Sequence, residues 1–240
     1  MFKGLVLFAL ACHILLVNPA NASELLHTID RLRISEGPTR VIMDISLYEQ
    51  GEHTRTSQYE VYADENRRSL ALFRSAAEAG QKVLMLDDQF YLFMPNSRRH
   101  IRITPMQKLL GDAATGDISS LRWSADYHIE AQTEQDDGTL RLNLNAARAG
   151  LSYGRVDLAV DASTFYPLHA TFYLPSGRVA KDATFIMGDD PRTGQTRLLT
   201  MVLQDRIQTS QRTEVHYHSV EPWDIPENWF NPAFLLRNNL

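Results

Sequence analysis

Apolar residues recur along this chain with two different periods. The first stretch is helical: Leu25, Leu26, Ile29 and Leu32 fall on one side of a helix, with Ser23 placed to cap it and Glu24 in its first turn. Gly37-Pro38 should stop it. From there the period becomes two. Val41, Met43, Ile45 and Leu47 alternate with Arg40, Asp44 and Ser46, the pattern of a half-buried strand. Similar sets follow at Tyr59 to Ala63, Leu70 to Phe73, Val83 to Leu86, Phe90 to Met94, Ile101 and Ile103, Tyr127 to Ala131, Leu140 to Leu144, and Val156 to Val160. The last are Leu168 to Leu174, Val179 to Phe185, Leu198 to Leu203 and Val215 to Val220.

Short turns such as Asp87-Asp88-Gln89, Asp136-Asp137-Gly138 and Pro175-Ser176-Gly177 join these sets, and tight turns connect antiparallel neighbours only. The expected fold is mainly β (α+β): about ten strands in an antiparallel sheet with a few helices. Met106 to Arg122 is rich in Gly, Ala and Asp and predicts one or two short helices. No linker or repeat divides 23–240, which reads as a single domain. Val83-Leu84-Met85-Leu86 and Phe90-Tyr91-Leu92-Phe93-Met94 are apolar at every position. Both faces of those strands must therefore be covered, by another layer, by helices or by an apolar ligand.

The N-terminus follows a different logic. Lys3 precedes the apolar run Leu5 to Val17, and Ala20-Asn21-Ala22 supplies small residues for cleavage after Ala22, so 1–22 reads as a secretory signal. Phe8-Ala9-Leu10-Ala11-Cys12 is a poor lipoprotein box, because apolar residues continue beyond Cys12. Cleavage removes the only cysteine and moves the formal net charge from −5 to −6. The mature chain would then hold no disulfide, thiolate metal site or cysteine nucleophile. The acidic balance, with pI near 5.9, gives no support for nucleic-acid binding, and a mean hydropathy of −0.28 excludes a multi-span helical membrane protein.

Candidate chemistry is sparse. His216-Tyr217-His218 has strand spacing that suits metal ligation or a solvated face, and no further ligand motif completes a metal set. Asp87-Asp88, Asp136-Asp137 and Asp189-Asp190 fit turn chemistry better than paired-carboxylate catalysis. Arg98-Arg99-His100 with Arg102 is the one dense basic patch, suited to lipid head groups, to an acidic partner or to guarding a strand edge. No nucleophile elbow, phosphate loop, zinc helix or dinucleotide fingerprint occurs, so no enzyme activity and no cofactor are expected.

The order of pieces carries a further reading. Phe90-Tyr91-Leu92-Phe93-Met94-Pro95 leads through Arg98-Arg99-His100-Ile101-Arg102 into Ile103-Thr104-Pro105 and a Gly/Asp-rich segment. Tyr166-Pro167-Leu168-His169-Ala170-Thr171-Phe172-Tyr173, Ser176-Gly177-Arg178-Val179 and Trp223-Asp224-Ile225-Pro226-Glu227-Asn228-Trp229-Phe230-Asn231-Pro232-Ala233-Phe234-Leu235 follow. Over Leu25 to Leu235 this order resembles the outer-membrane lipoprotein-sorting proteins of Gram-negative bacteria, LolA/LolB-like carriers. The resemblance implies a periplasmic protein with an incomplete barrel, a curved antiparallel sheet covered by short helices, that binds lipoprotein or lipid acyl chains. A membrane exporter or outer-membrane acceptor would be its partner. Phe73, Met85, Leu92, Leu140, Leu142 and Phe172 are then candidate cavity residues. The same half-barrel could instead serve as a non-enzymatic sensor or accessory module of an exporter or envelope-stress system.

Overall fold

The structure is a computed structural model that describes residues 19–34, 36–95, 97, 99–104, 122–237 and 240. The expected signal segment up to residue 18 and the helical insertion expected at 106–121 lie outside the described residues.

Helix α1 (Pro19–Arg31) is followed by a strand for every apolar set. One limb contains β1 (Thr39–Glu49), β2 (Glu52–Ala63), β3 (Arg68–Phe73), β4 (Lys82–Leu86), β5 (Gln89–Phe93) and β6 (His100–Ile103). A short helix, α2 (Trp123–Asp126), opens the second limb: β7 (Tyr127–Glu134), β8 (Thr139–Ala146), β9 (Arg155–Asp161), β10 (Pro167–Tyr173), β11 (Val179–Asp189), β12 (Thr196–Asp205) and β13 (Gln211–Pro222). A 3₁₀ turn at Glu227–Phe230 and helix α3 (Pro232–Leu235) complete the tail. Thirteen strands replace the expected ten or so. Several run further than the alternation suggested; β2 begins at Glu52, and its first five residues, polar and exposed, carry no apolar alternation.

All thirteen form one sheet in the order β6-β5-β4-β3-β2-β1-β13-β12-β11-β10-β9-β8-β7. Every strand pairs antiparallel with its sequence neighbour, and β1 also pairs with β13, as in Val41 opposite Val220. Among the described residues one pairing that would close the meander into a ring is absent, between β6 and β7. Residues 105–121, which join these two strands in sequence, lie outside the described residues.

Ion pairs show how far the sheet curls. Arg67, in the β2–β3 turn, donates to Asp126 of α2 at 2.9 Å, while Arg148, in the β8–β9 loop, donates to Asp88 of the β4–β5 turn at 2.6 Å. Arg148 also reaches Asp126 at 3.1 Å, and Arg67 lies 3.4 Å from Asp88. Two arginines and two aspartates thus clasp strands from opposite ends of the sheet order. Right-handed twist accumulated over thirteen strands brings them together. Asp87-Asp88 is a turn, as expected, but Asp88 also serves in this clasp.

The inner face holds the main core. Met43, Ile45, Tyr59, Phe73, Met85, Phe90, Leu142, Leu144, Val156, Leu158, Phe172, Phe185, Met201 and Val215 are all buried in it, with Leu26 and Ile29 of α1 and Trp123 of α2 above them. A second, smaller cluster lies on the outer face of β2 to β5. Tyr62, Leu70, Leu72, Leu84 and Phe93 are covered there by Phe230 and Leu235 of the tail. Trp229 meets Tyr62 edge-on at 4.8 Å, and the backbone amide of Trp223 donates to Pro38 at 3.0 Å. Arg68 reaches Glu227 and lies over the Phe230 ring at 4.3 Å. The two-sided apolarity of β4 and β5 thus has its cause within the chain: Val83 and Met85 face the main core, Leu84 faces the tail.

Candidate functional site: the covered inner face

All six sequence-predicted residues share one face. Phe73, Met85, Leu142 and Phe172 are buried in the main cluster, and Leu92 and Leu140 are half-buried against it. They sit on β3, β4, β5, β8 and β10, on both limbs, so a continuous apolar wall runs from one end of the sheet to the other. Aromatic pairs knit the wall: Tyr59 meets Phe73 at 4.9 Å and Tyr153 meets Phe172 at 4.9 Å. Period two puts these side chains on the same side of their strands, and antiparallel register carries the side across the sheet.

The cover over this wall is small and polar in its internal joints. Asp30 of α1 accepts hydrogen bonds from the backbone amides of Trp123 at 3.2 Å and Ser124 at 2.9 Å, and from the Ser124 hydroxyl at 2.7 Å. It therefore caps α2 from a different element, satisfying amides that a four-residue helix leaves open. The far end of α2 is held by the clasp, through Asp126.

Beneath the cover the wall is not uniformly apolar. Arg33 is buried, with its guanidinium 3.7 Å from the Trp123 ring centre and 5.7 Å from that of Phe185. Burial pushes its pKa down, and Asp30, with Oδ1 at 3.3 Å, acts in the opposite direction. Lys181 is buried near the Tyr153 ring at 5.7 Å. The indole Nε1 of Trp123 is buried and has no hydrogen-bond partner among the described residues. Such a donor costs about 1–3 kcal/mol if nothing meets it.

Sequence reading missed Arg33 and Trp123. The signal for Arg33 was present: Leu26, Ile29 and Arg33 are spaced three and four apart and share one side of a helical turn. A charged residue was not counted with the apolar face. Trp123 carried no periodic signal, because α2 is a single turn.

The remaining sequence candidates lie elsewhere. His216 and His218 are on the outer side and turn to different carboxylates, Glu214 at 3.2 Å and Asp44 at 2.8 Å. Among the described residues no group of three or more His, Cys, Asp or Glu is placed to hold a metal ion, and no helix is long and apolar enough to cross a membrane.

An open antiparallel sheet with a covered apolar inner face defines the fold class, and known structures share it. A LolA superfamily protein, NE2245, from Nitrosomonas europaea is 26% identical, with a TM-score of 0.78 over 88% of this chain and 97% of that one. A putative outer membrane lipoprotein-sorting protein domain from Vibrio parahaemolyticus is 20% identical, with a TM-score of 0.73 over 92% of this chain and 100% of that one. A DUF1329 family protein from Desulfovibrio piger is 18% identical, with a TM-score of 0.74 over 91% of this chain and 100% of that one. The fold is LolA-like. A family model described as "Uncharacterized protein" matches residues 65–237, and the chain belongs to that family. No curated protein matches it.

Proposed function

We propose that this protein is a non-enzymatic periplasmic carrier that holds the acyl chains of a lipidated protein or lipid against the inner face of its sheet. The supporting observation is the continuous apolar wall on both limbs, lying beneath a cover of two short helices. Moving acyl chains from water onto such a wall is worth about 0.8 kcal/mol per methylene, so a few contacts give firm capture. Phe73, Met85, Leu92, Leu140, Leu142 and Phe172 form the cargo surface in this reading. The orphaned Trp123 N–H would meet a carbonyl of the cargo's ester or amide linkage.

Loading requires α1 and α2 to move, because they occupy the wall in the structure described here. Release then needs a membrane exporter or outer-membrane acceptor that binds the open state better than the closed one. Export would use the signal at 1–22, and cleavage after Ala22 leaves Ser23–Arg31 of α1 to form the cover. Native mass spectrometry of the protein purified from a periplasm tests the reading. Bound species with acyl-chain masses are expected, lost on Leu142→Asp; a protein that always emerges without them refutes it.

A further inference from the structure

Most arginines in this protein are spent on ion pairs. Arg67 and Arg148 share the clasp, Arg40 and Arg74 hold Glu60, Arg68 holds Asp64, and Arg197 holds Asp190. The β5–β6 hairpin departs from this. Arg99 and Arg102 are exposed, and among the described residues neither has a carboxylate partner. The sequence explains why. The chain has 29 acidic residues in 240, yet none between Asp88 and Asp112. Arg99 and Arg102 thus lie close together on a hairpin whose own sequence holds no acidic residue.

The same hairpin also exposes apolar side chains. Ile101 is 52% exposed and Met94 39% exposed, two of the five exposed large hydrophobic side chains among the described residues. Register places Ile101 opposite Leu92 and Arg102 opposite Tyr91, so Ile101 extends the inner wall to the rim while Arg102 lies on the outer side. His100 stands edge-on to Tyr91 at 5.0 Å, which keeps the outer side of the hairpin ordered. Exposed apolar tips flanked by unpaired cations are complementary to a lipid bilayer whose surface is anionic. The tips enter the acyl region, and the guanidinium groups stay at the phosphates. Guarding a strand edge needs the charges but not Ile101 and Met94.

We infer that the β5–β6 hairpin is a membrane-docking surface for anionic phospholipid, placing the β6 edge of the sheet against the bilayer. The inference concerns where the protein meets a membrane, and it stands whether or not the inner wall carries lipid.

Flotation or co-sedimentation of the full mature chain with vesicles of phosphatidylcholine plus phosphatidylglycerol, against phosphatidylcholine alone, provides the test. Anionic vesicles should retain the protein and added salt should release it, since a basic side chain near an anionic surface contributes about fivefold in partitioning. Arg99→Ala with Arg102→Ala should weaken retention by about 25-fold. Ile101→Ser should weaken it by a few-fold at unchanged salt dependence, and Arg141→Glu, an exposed change on β8, should leave it alone. All four positions are exposed or half-exposed, so melting temperatures should match and loss of fold cannot mimic the result. Equal retention on neutral vesicles, wild-type retention by the double variant, or capture of acidic peptides without vesicle binding would each overturn the inference. Acyl chains bound in native mass spectra alongside absent vesicle binding would sink this inference and leave the carrier reading standing.

Discussion

The two limbs of the sheet solve the burial problem differently. From β2 to β5 the strands are apolar on both sides, the inner packed in the main core and the outer beneath the tail. From β7 to β13 the main core lies on the inner side, and the described residues place no second apolar cluster over the outer side. The outer side is a lattice of cross-strand polar pairs: Asn143 with Asp157 at 2.8 Å, Tyr173 with Asp157 at 2.8 Å, Thr171 with Asp182 at 2.7 Å, and His169 with Thr184 at 3.2 Å. One limb depends on residues over a hundred positions away. The other is finished by its own neighbours. Two-sided apolarity in β4 and β5 therefore marks a second internal cover.

The contrast can be broken most strongly where the limbs are joined. Arg67→Ala with Arg148→Ala strands the buried Asp126 carboxylate without a cation, which should cost about 3–5 kcal/mol in urea unfolding. If Asp126→Asn in the same background does not recover part of that loss, the clasp is not the cause. Next comes the tail. Phe230→Ala should cost about 3–4 kcal/mol by emptying its place over Leu70, Leu72 and Leu84, read by the same unfolding midpoint. Exposure of the outer face should appear as dye binding or self-association of that variant.

Acid sharpens the comparison further. Hydrogen bonds from Arg148, aided by the charge of Arg67, hold the Asp88 carboxyl below its ordinary value, so its contribution exists above the unfolded pKa of about 3.9 and disappears as pH falls through the lower folded value. Asp161, in the β9–β10 turn, is held down to about 2 by Ser163 and Thr164 and follows the same sign. Unfolding midpoints measured from pH ~5 down to pH ~2 should fall less steeply in Asp88→Asn than in the wild type. An unchanged slope would remove Asp88 from the clasp's account. Smallest of all, Thr184→Ala on the outer side of β11 should change stability by no more than about 0.5 kcal/mol, since it gives up one half-exposed hydrogen bond.

Much of the fold was legible because it is local. Most strands were marked by a period of two, and β4 and β5 by unbroken apolar runs; turns were marked by Asp, Gly or Pro, as at Gly177, whose φ of 82° suits a residue without a side chain. Phe73, Met85, Leu92, Leu140, Leu142 and Phe172 were legible as apolar strand positions, but which side of the sheet they share came from the structure. What was not legible joins positions far apart in the chain. Nothing local in Asp88 distinguishes a turn residue from a clasp residue until Arg148 arrives, and nothing in Phe93 says that Phe230 will cover it. Asp30 is an unremarkable residue near the end of α1 until it caps α2, 93 positions later.

The sequence by itself determined the element type and the antiparallel pairing of neighbours, because alternation and turn chemistry act over a few residues. Only the tertiary structure decided which side of the sheet is inner, what lies over the outer side of β2 to β5, and that the Arg33 side chain is buried against Trp123. Those outcomes depend on accumulated twist and on contacts across the whole chain, which no short window of residues contains.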